Sequence, residues 1–445
     1  METEERELEI PLEKIYELPP LHIVRYKNLI LAIAVNKARW LVLKNEIQFE
    51  VLQDIILKKS IGEVLKKYES YSIDVVEVLT QIEATKIETI KLKSNFNNTR
   101  LHLHLTNKCN LCCPHCYLSS GHIYKNELST QEIKDLCRKF KSIGGEIVTL
   151  TGGEPTLRKD FLDIIAFISS IGMRSALFTN GTLLDDQIIE CLARCDNDGV
   201  QVSIDGYDEN SNSIMRGSGA FKKALQAVDF LIYKKIHVKI AVTPPYEELK
   251  NNLHRYIEFS KGLIDKYGDD AIEINYSYSL MPGRKYSEKQ IRDFKDEYYK
   301  LVDRVVSSIY PNIVVESFVA NILNNIYDSC GFGALNVMAN GDYYFCDRIS
   351  DVCKSGNIRD ISFNKIFESM KLAECYGKID NFMPCKECEL KYICGGGCRA
   401  EHFPGFTKNF DLKGDFSKVE YRKCDMENKS RIYELMVLTY ERFYR

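Results

Sequence analysis

A regular alternation of short apolar runs and longer amphipathic segments begins at Leu101 and leaves few folds open to this chain. Strands are predicted at residues 101–105, 146–150, 174–178, 200–204 and 237–242, with helices at 130–141, 161–171, 185–193 and 221–234. This order indicates an α/β fold, a parallel sheet wrapped by helices. Ligands of parallel sheets bind beyond the carboxyl ends of the strands. The most unusual residues follow those ends, at 106–116, 151–155, 179–181 and 205–206.

Two regions flank this alternation. Residues 20–92 predict three strands followed by three helices, a winged-helix-like order, and Ser60 with Glu63 forms a capping box before the second helix. Residues 285–325 are helical and charged, and the chain from about 330 is rich in Cys and Gly. A chain of 445 residues is long enough for two to four domains. We predict three, at 1–92, 93–310 and 311–445.

The net charge and the hydropathy pattern limit which classes of partner and which cellular compartment this chain is expected to have. The formal net charge is −3, which gives no basic field for nucleic acid. The first residues are charged and lack the apolar core of a signal peptide. The longest apolar run, Leu29 to Val35, is far too short to cross a bilayer and predicts a buried strand. We therefore predict a cytoplasmic protein without a nucleic-acid or membrane partner.

Ten or eleven of the sixteen cysteines fall in tight clusters, which in a reducing compartment indicates metal or cluster ligation rather than disulfides. Cys109, Cys113 and Cys116 have the spacing C-x3-C-x2-C. Three thiolates can hold three irons of a [4Fe–4S] cluster and leave the fourth iron for a small chelating molecule. A zinc loop, which normally has four protein ligands, is the alternative. Cys112 lies off the spacing and is interpreted as a bystander.

The segment 105–117, LTNKCNLCCPHCY, resembles the signature loop of the radical S-adenosylmethionine (SAM) superfamily, and Gly152-Gly153-Glu154-Pro155 follows one βα unit later, as in that family. The resemblance implies a partial (β/α)6 TIM-like barrel. It also implies that the reduced cluster cleaves SAM to a 5′-deoxyadenosyl radical, with electrons from a flavodoxin- or ferredoxin-type donor. His115 stands where the family usually has an aromatic residue.

The resemblance also implies a SAM pocket. The motif ending in Glu154 would contact the amino group of SAM, and Ser203 with Arg216 would meet its carboxylate. Asp205 would contact the ribose or be structural. The predicted pocket residues are Gly152, Gly153, Glu154, Asn180, Ser203, Asp205 and Arg216.

A second cysteine field begins with Cys330, Gly341 and Cys346, spaced as C-x10-G-x4-C. It continues with C-x2-C-x5-C-x3-C from Cys385 to Cys398 and ends at Cys424. These spacings closely resemble the SPASM extension of peptide- and protein-modifying radical SAM enzymes. The resemblance implies one auxiliary [4Fe–4S] cluster on Cys385, Cys388, Cys394 and Cys424. It implies another on Cys330, Cys346 and Cys398, with Cys353 or an open iron completing it, and hence three clusters in all. The spacing alone also fits a pair of structural zinc sites. Asp347, directly after Cys346, would be a catalytic base or a plain hydrogen-bonding residue.

Residues 20–92 resemble the PqqD-like recognition element that binds leader peptides of ribosomally made natural products. Such elements capture a peptide as an added strand at the edge of a sheet. A scaffold without a ligand and a DNA-binding wing are the alternatives. We predict a maturase that installs a thioether or carbon–carbon crosslink in a precursor peptide with a leader. A sulfatase-maturing type enzyme that makes formylglycine, and a non-enzymatic metal-binding winged-helix regulator, are the competing functions. The sequence leaves open the precursor, the bond formed, the role of Cys353 and the oligomeric state.

Overall fold

The computed structural model describes residues 10–92, 99–312, 315–316, 320, 330–346, 355–381, 383–397, 399, 424 and 426–443. The chain forms two compact units. The small unit comprises residues 1–96, 313–330 and 375–445, and the large unit comprises residues 97–312 and 331–374. The segment predicted as a third domain, 311–445, therefore contributes to both units.

The small unit begins with an antiparallel sheet in the order β1-β2-β3, formed by β1 His22–Tyr26, β2 Leu29–Ala34 and β3 Arg39–Leu43. Three helices follow: α1 Glu46–Ile56, α2 Ile61–Lys67 and α3 Ser72–Thr85. The predicted order of three strands and three helices is confirmed, and so is the capping box at the start of α2. The class of this module as a winged helix stays a prediction. One face of the sheet packs on the three helices through residues such as Ile30, Ala32 and Leu41.

The large unit is built on six parallel strands separated by helices. Its elements are β4 Arg100–His104, α4 Thr130–Ser142, β5 Ile147–Thr151, α5 Phe161–Ser170, β6 Arg174–Thr179, α6 Asp186–Arg194, β7 Asn197–Ser203, α7 Glu209–Arg216, α8 Ala220–Tyr233, β8 Val238–Val242, α9 Tyr246–Tyr267, β9 Ile272–Tyr276 and α10 Glu288–Ile309. The strands lie in the order β4 to β9 and every neighbouring pair is parallel. The predicted parallel α/β fold is confirmed.

Three short strands from the cysteine-rich region extend this sheet. They are β10 Asn336–Val337, β11 Asp342–Tyr344 and β12 Gly356–Asn357, and the full order is β12-β11-β10-β4-β5-β6-β7-β8-β9. β10 runs parallel to β4, while β11 and β12 pair antiparallel. The sequence analysis did not foresee this extension.

Alternation along β4 decides which of its side chains line the cavity described below. Leu101 and Leu103 are fully buried and belong to the core, whereas His102 and His104 line the cavity described below. Successive side chains of a strand point to opposite faces. The face of β4 that lines this cavity is therefore polar.

The last elements are α11 Phe363–Gly377, α12 Lys391–Cys394 and α13 Met426–Phe443. α13 covers the second face of the small sheet, where Trp40 donates a hydrogen bond from Nε1 to the carbonyl oxygen of Met436 at 3.1 Å. Leu31 and Ile33 of β2 are fully buried on this face. Because both faces of β2 are buried, its sequence consists of consecutive apolar residues instead of alternating apolar and polar ones. Within the described ranges, no helix has the length and apolarity to cross a membrane.

Candidate active site at the carboxyl edge of the sheet

The loop after β4 carries the first cysteine cluster. Cys109, Cys113 and Cys116 are half-buried, whereas Cys112 is exposed. The backbone N–H of Leu111 donates to Sγ of Cys109 at 3.4 Å, a contact that suits a thiolate. Burial raises the pKa of Cys113 to about 11, partly opposed by the positive charge of Arg216. The loop therefore presents three thiols, and the positive charge of Arg216 acts on two of them, Cys109 and Cys113.

The turn Gly152-Gly153 lies directly on this loop. A Cβ at Gly152, where φ is +135°, would come within 2.4 Å of the carbonyl oxygen of Thr106. A Cβ at Gly153 would come within 2.2 Å of the carbonyl oxygen of Lys108. The backbone N–H of Gly153 donates to Thr106 at 2.8 Å. The two glycines thus allow close approach of the cysteine loop itself.

Glu154 ties the ends of two neighbouring strands together. Its carboxylate accepts hydrogen bonds from the hydroxyls of Thr156 at 2.6 Å and Thr179 at 2.8 Å. It also accepts the backbone N–H of Asn180 at 2.9 Å. The side chain is fully buried, and burial raises the pKa of Glu154. These bonds join the turn after β5 to the turn after β6.

Asn180 links Glu154 to the cysteine loop by further hydrogen bonds. Its Nδ2 donates to Oδ1 of Asn110 at 2.9 Å, and its Oδ1 accepts from Thr182. Asn110 lies next to Cys109 in the sequence. The position of the first cysteine is therefore linked by hydrogen bonds to β6.

Asp205 and Arg216 form a buried ion pair beside the thiols. Nε of Arg216 lies 2.7 Å from Oδ2 of Asp205, although the N–H is poorly aligned for a hydrogen bond. The other carboxylate oxygen accepts the backbone N–H of Thr243 at 2.8 Å, and Asp205 is fully buried. Nε2 of His115 lies 3.5 Å from the same carboxylate, and burial lowers the pKa of His115. Asp205 therefore holds Arg216 in place. Ser203, at the end of β7, is half-buried.

The segment after β9 covers the cysteine loop from another side. Arg284 donates from Nη1 to the carbonyl oxygen of Cys113 at 3.0 Å, and the backbone N–H of Lys285 donates to Pro114 at 2.9 Å. A Cβ at Gly283 would lie 2.8 Å from the backbone of His115. The sequence analysis missed these residues, because the contact joins positions about 170 residues apart.

A cavity of about 390 Å³ reaches from this loop along the inside of the sheet. Tyr117, which follows Cys116, and Thr151, which precedes Gly152, both line it. The other lining residues are His102, His104, Phe178, Gln201, Ala241, Thr243, Asn275, Tyr276, Ser277 and Asn336. The sequence analysis singled out none of these. Polar residues at every second position of β4 were the available signal.

The three thiols of the first loop are a donor set of the kind that holds an iron–sulfur cluster. The described residues hold no group of three or more His, Cys, Asp or Glu side chains close enough together for one metal ion. In a [4Fe–4S] cluster each thiolate binds a different iron, so the sulfurs lie farther apart than the ligands of one zinc ion. Three half-buried thiols on one loop, with a backbone N–H directed at one sulfur, are compatible with such a cluster.

The second cysteine field lies in both units. Cys385, Cys388, Cys394, Cys424 and Cys330 belong to the small unit, and Cys346 belongs to the large unit. Burial raises the pKa of Cys385 to about 11. The backbone N–H of Leu390 donates to Sγ of Cys388 at 3.4 Å. Asp347, Cys353 and Cys398 lie outside the described residues.

Arg399 fixes the glycine turn beside Cys394. It is fully buried and donates to the carbonyl oxygens of Gly377 at 2.8 Å, Gly395 at 2.9 Å and Gly397 at 2.7 Å. A guanidinium with several carbonyl partners is a satisfied buried charge. The sequence analysis did not single out this residue.

Comparison with known proteins agrees with this arrangement. Residues 103–259 match the family model of the Radical SAM superfamily, and residues 329–389 match that of an iron-sulfur cluster-binding domain, SPASM. The chain thus contains a radical SAM domain and a SPASM domain, which indicate SAM and iron–sulfur clusters as cofactors. The predicted resemblance is confirmed for these two domains. The PqqD-like assignment stays a prediction.

The individual relatives have low sequence identity to this chain. Mycofactocin maturase MftC of Mycolicibacterium smegmatis is 26% identical over 320 residues, which cover 67% of this chain and 77% of the relative. AdoMet-dependent heme synthase of Oleidesulfovibrio alaskensis is 26% identical over 327 residues, which cover 67% of this chain and 82% of the relative. The structure of native anSMEcpe with bound AdoMet and Cp18Cys peptide has a TM-score of 0.56 and 20% identity, covering 77% of this chain and 97% of that one. This likeness shows the fold.

Proposed function

We propose that this chain is a radical SAM peptide maturase that uses three [4Fe–4S] clusters to install a thioether or carbon–carbon crosslink in a ribosomally made precursor peptide. One observation carries the proposal. The loop of Cys109, Cys113 and Cys116 stands at one end of a polar cavity, because Tyr117 and Thr151 line that cavity next to the loop and the Gly-Gly turn.

The residues have separate tasks in this proposal. Cys109, Cys113 and Cys116 hold the cluster, which when bound and reduced supplies the electron that cleaves SAM. Arg216, fixed by Asp205, offers a cation for the carboxylate of SAM. Glu154 and Asn180 keep the cysteine loop and the strand ends in register. The cavity beside the loop offers room for the reacting segment of the substrate.

The hydrogen atoms and electrons of the proposed crosslinking reaction can be counted. The peptide loses one hydrogen atom to the 5′-deoxyadenosyl carbon, and SAM consumes one electron. As the new bond closes, the peptide would give up one proton and one electron, and an auxiliary cluster held by the SPASM cysteines would be the acceptor of that electron. The peptide therefore becomes lighter by two hydrogens per crosslink, and 5′-deoxyadenosine and methionine are the other products. A flavodoxin- or ferredoxin-type protein is the proposed donor of the first electron.

The small sheet offers a place for the leader peptide. On β3, the side chain of Gln81 bonds both backbone groups of Val42, accepting its N–H at 2.8 Å and donating to its carbonyl at 3.0 Å. The edge of β3 is therefore occupied at Val42. β1 forms the opposite edge, and the side chains of His22 and Ile23 are exposed. An extended peptide is proposed to add to β1 by backbone hydrogen bonds.

A tetrapyrrole substrate is the second candidate, favoured by the similarity to a heme synthase. The carboxylates of such a substrate call for cationic partners. None of the residues described as lining the cavity is Lys or Arg. This lining favours the peptide over the tetrapyrrole.

Product analysis of SAM tests the proposed function. The reconstituted full-length protein is incubated anaerobically with SAM and dithionite, with and without the peptide encoded by a short reading frame beside the gene. The proposal predicts 5′-deoxyadenosine in both samples and more of it with the peptide. If intact, cluster-loaded protein forms none, every radical SAM function fails and a non-enzymatic metal-binding role remains.

A further inference from the structure

We propose that Asn336 accepts an amide N–H from the substrate inside the cavity, and that the reacting segment of the substrate is uncharged. This inference deepens the proposed function and rests on it. It assigns a specificity role to a residue that belongs to the cysteine-rich region rather than to the six-stranded core. β10 brings that residue into the wall of the cavity.

Pairing of β10 with β4 fixes the position of Asn336. The two strands are parallel and place Asn336 beside His102. The backbone N–H of His102 donates to the carbonyl oxygen of Leu335 at 2.9 Å. Asn336 therefore stands on the same wall as His102 and His104, and all three line the cavity.

The two polar atoms of the Asn336 amide differ in their hydrogen bonding. Its Nδ2 donates to the carbonyl oxygen of Ala334 at 2.9 Å, which fixes the orientation of the amide. The residue is 2% exposed, and within the described part of the chain its Oδ1 has no hydrogen-bond partner. Leaving a buried acceptor unpaired is destabilising. A donor that enters with the substrate would remove this cost.

The chemistry of the wall identifies the class of that donor. The described lining residues include no Asp, Glu, Lys or Arg, and contain amides, hydroxyls, imidazoles and aromatic rings. An ionised group without a partner is costly to bury. A neutral N–H, such as that of a peptide backbone or a carboxamide, pairs with Oδ1 at no such cost. The cavity therefore selects an uncharged peptide segment.

Two variants separate the acceptor from the fold. Asn336→Leu and Asn336→Thr both remove the amide donor that bonds Ala334, but only Thr keeps an uncharged oxygen acceptor. The Asn336→Thr variant therefore tests for rescue of the acceptor. Asn340→Ala, on the turn between β10 and β11, is the matched control, since Asn340 bonds Asp342 outside the cavity lining. Thermal denaturation shows whether each variant is folded.

Kinetics with the peptide that the wild type modifies give the first readout. Asn336→Leu is expected to lower kcat/KM at least about tenfold, which corresponds to one lost hydrogen bond. Asn336→Thr should recover part of the loss, and Asn340→Ala should behave as wild type. Equal kcat/KM for wild type and Asn336→Leu overturns the inference, and so does an equal loss in Asn340→Ala.

Charge in the peptide gives the second readout. Lys or Glu at a position next to the modified residue should lower kcat/KM about a hundredfold relative to a neutral residue of similar length. Gln201→Glu in the wall should restore part of the activity toward the Lys peptide only. Indifference to these charges contradicts the uncharged-segment inference, although modification of the peptide would still support the proposed function.

A test without any peptide keeps the two proposals distinguishable. Crystals of the reconstituted protein are soaked in acetamide, which carries an amide N–H, or in acetate as the charged control. We expect acetamide with its nitrogen at hydrogen-bond distance from Oδ1 of Asn336, and no acetamide there in Asn336→Leu. An empty site, or acetate bound equally well, overturns the inference even if SAM is cleaved.

Discussion

The backbone N–H of Glu154 donates to the carbonyl oxygen of Lys108 at 2.8 Å, so the turn after β5 rests on the loop that carries the three cysteines. Gly152 and Gly153 make this contact possible, because any side chain there would overlap the loop backbone. The motif that resembles a ligand-binding turn is therefore first a packing element for the cysteine loop. Mutations in the turn should act on the cluster before they act on SAM.

Gly153→Ala tests this relationship. The added Cβ would lie 2.2 Å from the carbonyl oxygen of Lys108, and backbone cannot move aside as a flexible side chain can. We expect a destabilisation of about 3 kcal/mol and a loss of cluster iron. Iron content and the thermal denaturation midpoint measure the two effects. Gly262→Ala is the control, since that glycine is exposed in α9 with nothing within 4 Å of a Cβ. Full iron content in Gly153→Ala would contradict the packing role.

The cysteine loop allows a test of cluster ligation in which Cys112 serves as the control residue. Cys109→Ala, Cys113→Ala and Cys116→Ala should each lose one cluster and all formation of 5′-deoxyadenosine, because each thiolate holds a different iron. Cys112→Ala should keep both, since Cys112 is exposed and off the spacing. Iron content and the electron paramagnetic resonance of the reduced cluster check the loss. Turnover of SAM in any of the three variants would refute the assignment.

Asp160 predicts a pH dependence of stability. The bidentate contact with Arg158 lowers the pKa of Asp160 to about 2, and Arg158 also donates to the carbonyl oxygens of Leu105 and Leu128. Because this folded-state pKa lies below the unfolded value, the stabilisation is present above about pH 4 and is lost as the pH falls toward 2. Asp160→Asn should cost about 1–2 kcal/mol at pH 7, after allowance for the partial exposure of the pair.

Urea denaturation of the cluster-free protein measures this effect, since iron–sulfur clusters do not survive acid. The difference between wild type and Asp160→Asn should be constant from pH 8 to 5 and shrink below about pH 4. Asp163→Asn provides the control, because Asp163 pairs with Lys134 at 57% exposure. A cost that is equally large at pH 3 would show that the ion pair is not its source.

The edge of the small sheet predicts a protection pattern. A leader peptide added to β1 should slow amide hydrogen exchange in His22–Tyr26 on binding. Residues of β3 should change little, because Gln81 already bonds the backbone of Val42. Mass-spectrometric exchange with and without the precursor peptide measures both segments. Protection of β3 instead would mean that the peptide displaces Gln81, and protection of neither would remove the small sheet from recognition.

Local patterns in the sequence predicted the parts of the site that depend on spacing. The loop of Cys109, Cys113 and Cys116, the Gly-Gly turn and the parallel strands follow from motif and periodicity. Strand β10 has two residues and no periodic signal, so the entry of Asn336 into the cavity was not predictable. The packing of Trp40 on Met436 joins positions 396 residues apart, and nothing local encodes it. The internal bonds of Glu154 likewise depend on the neighbouring strand.

The mass of the precursor peptide after anaerobic co-expression with this protein tests the central claim most directly. The account predicts the loss of two hydrogens per modified site, and fragmentation that fails between two joined residues. An aldehyde-specific reagent separates this result from formylglycine, which Ser also forms with the loss of two hydrogens. A precursor of unchanged mass, in the presence of protein that cleaves SAM and binds the peptide, would contradict the crosslinking maturase.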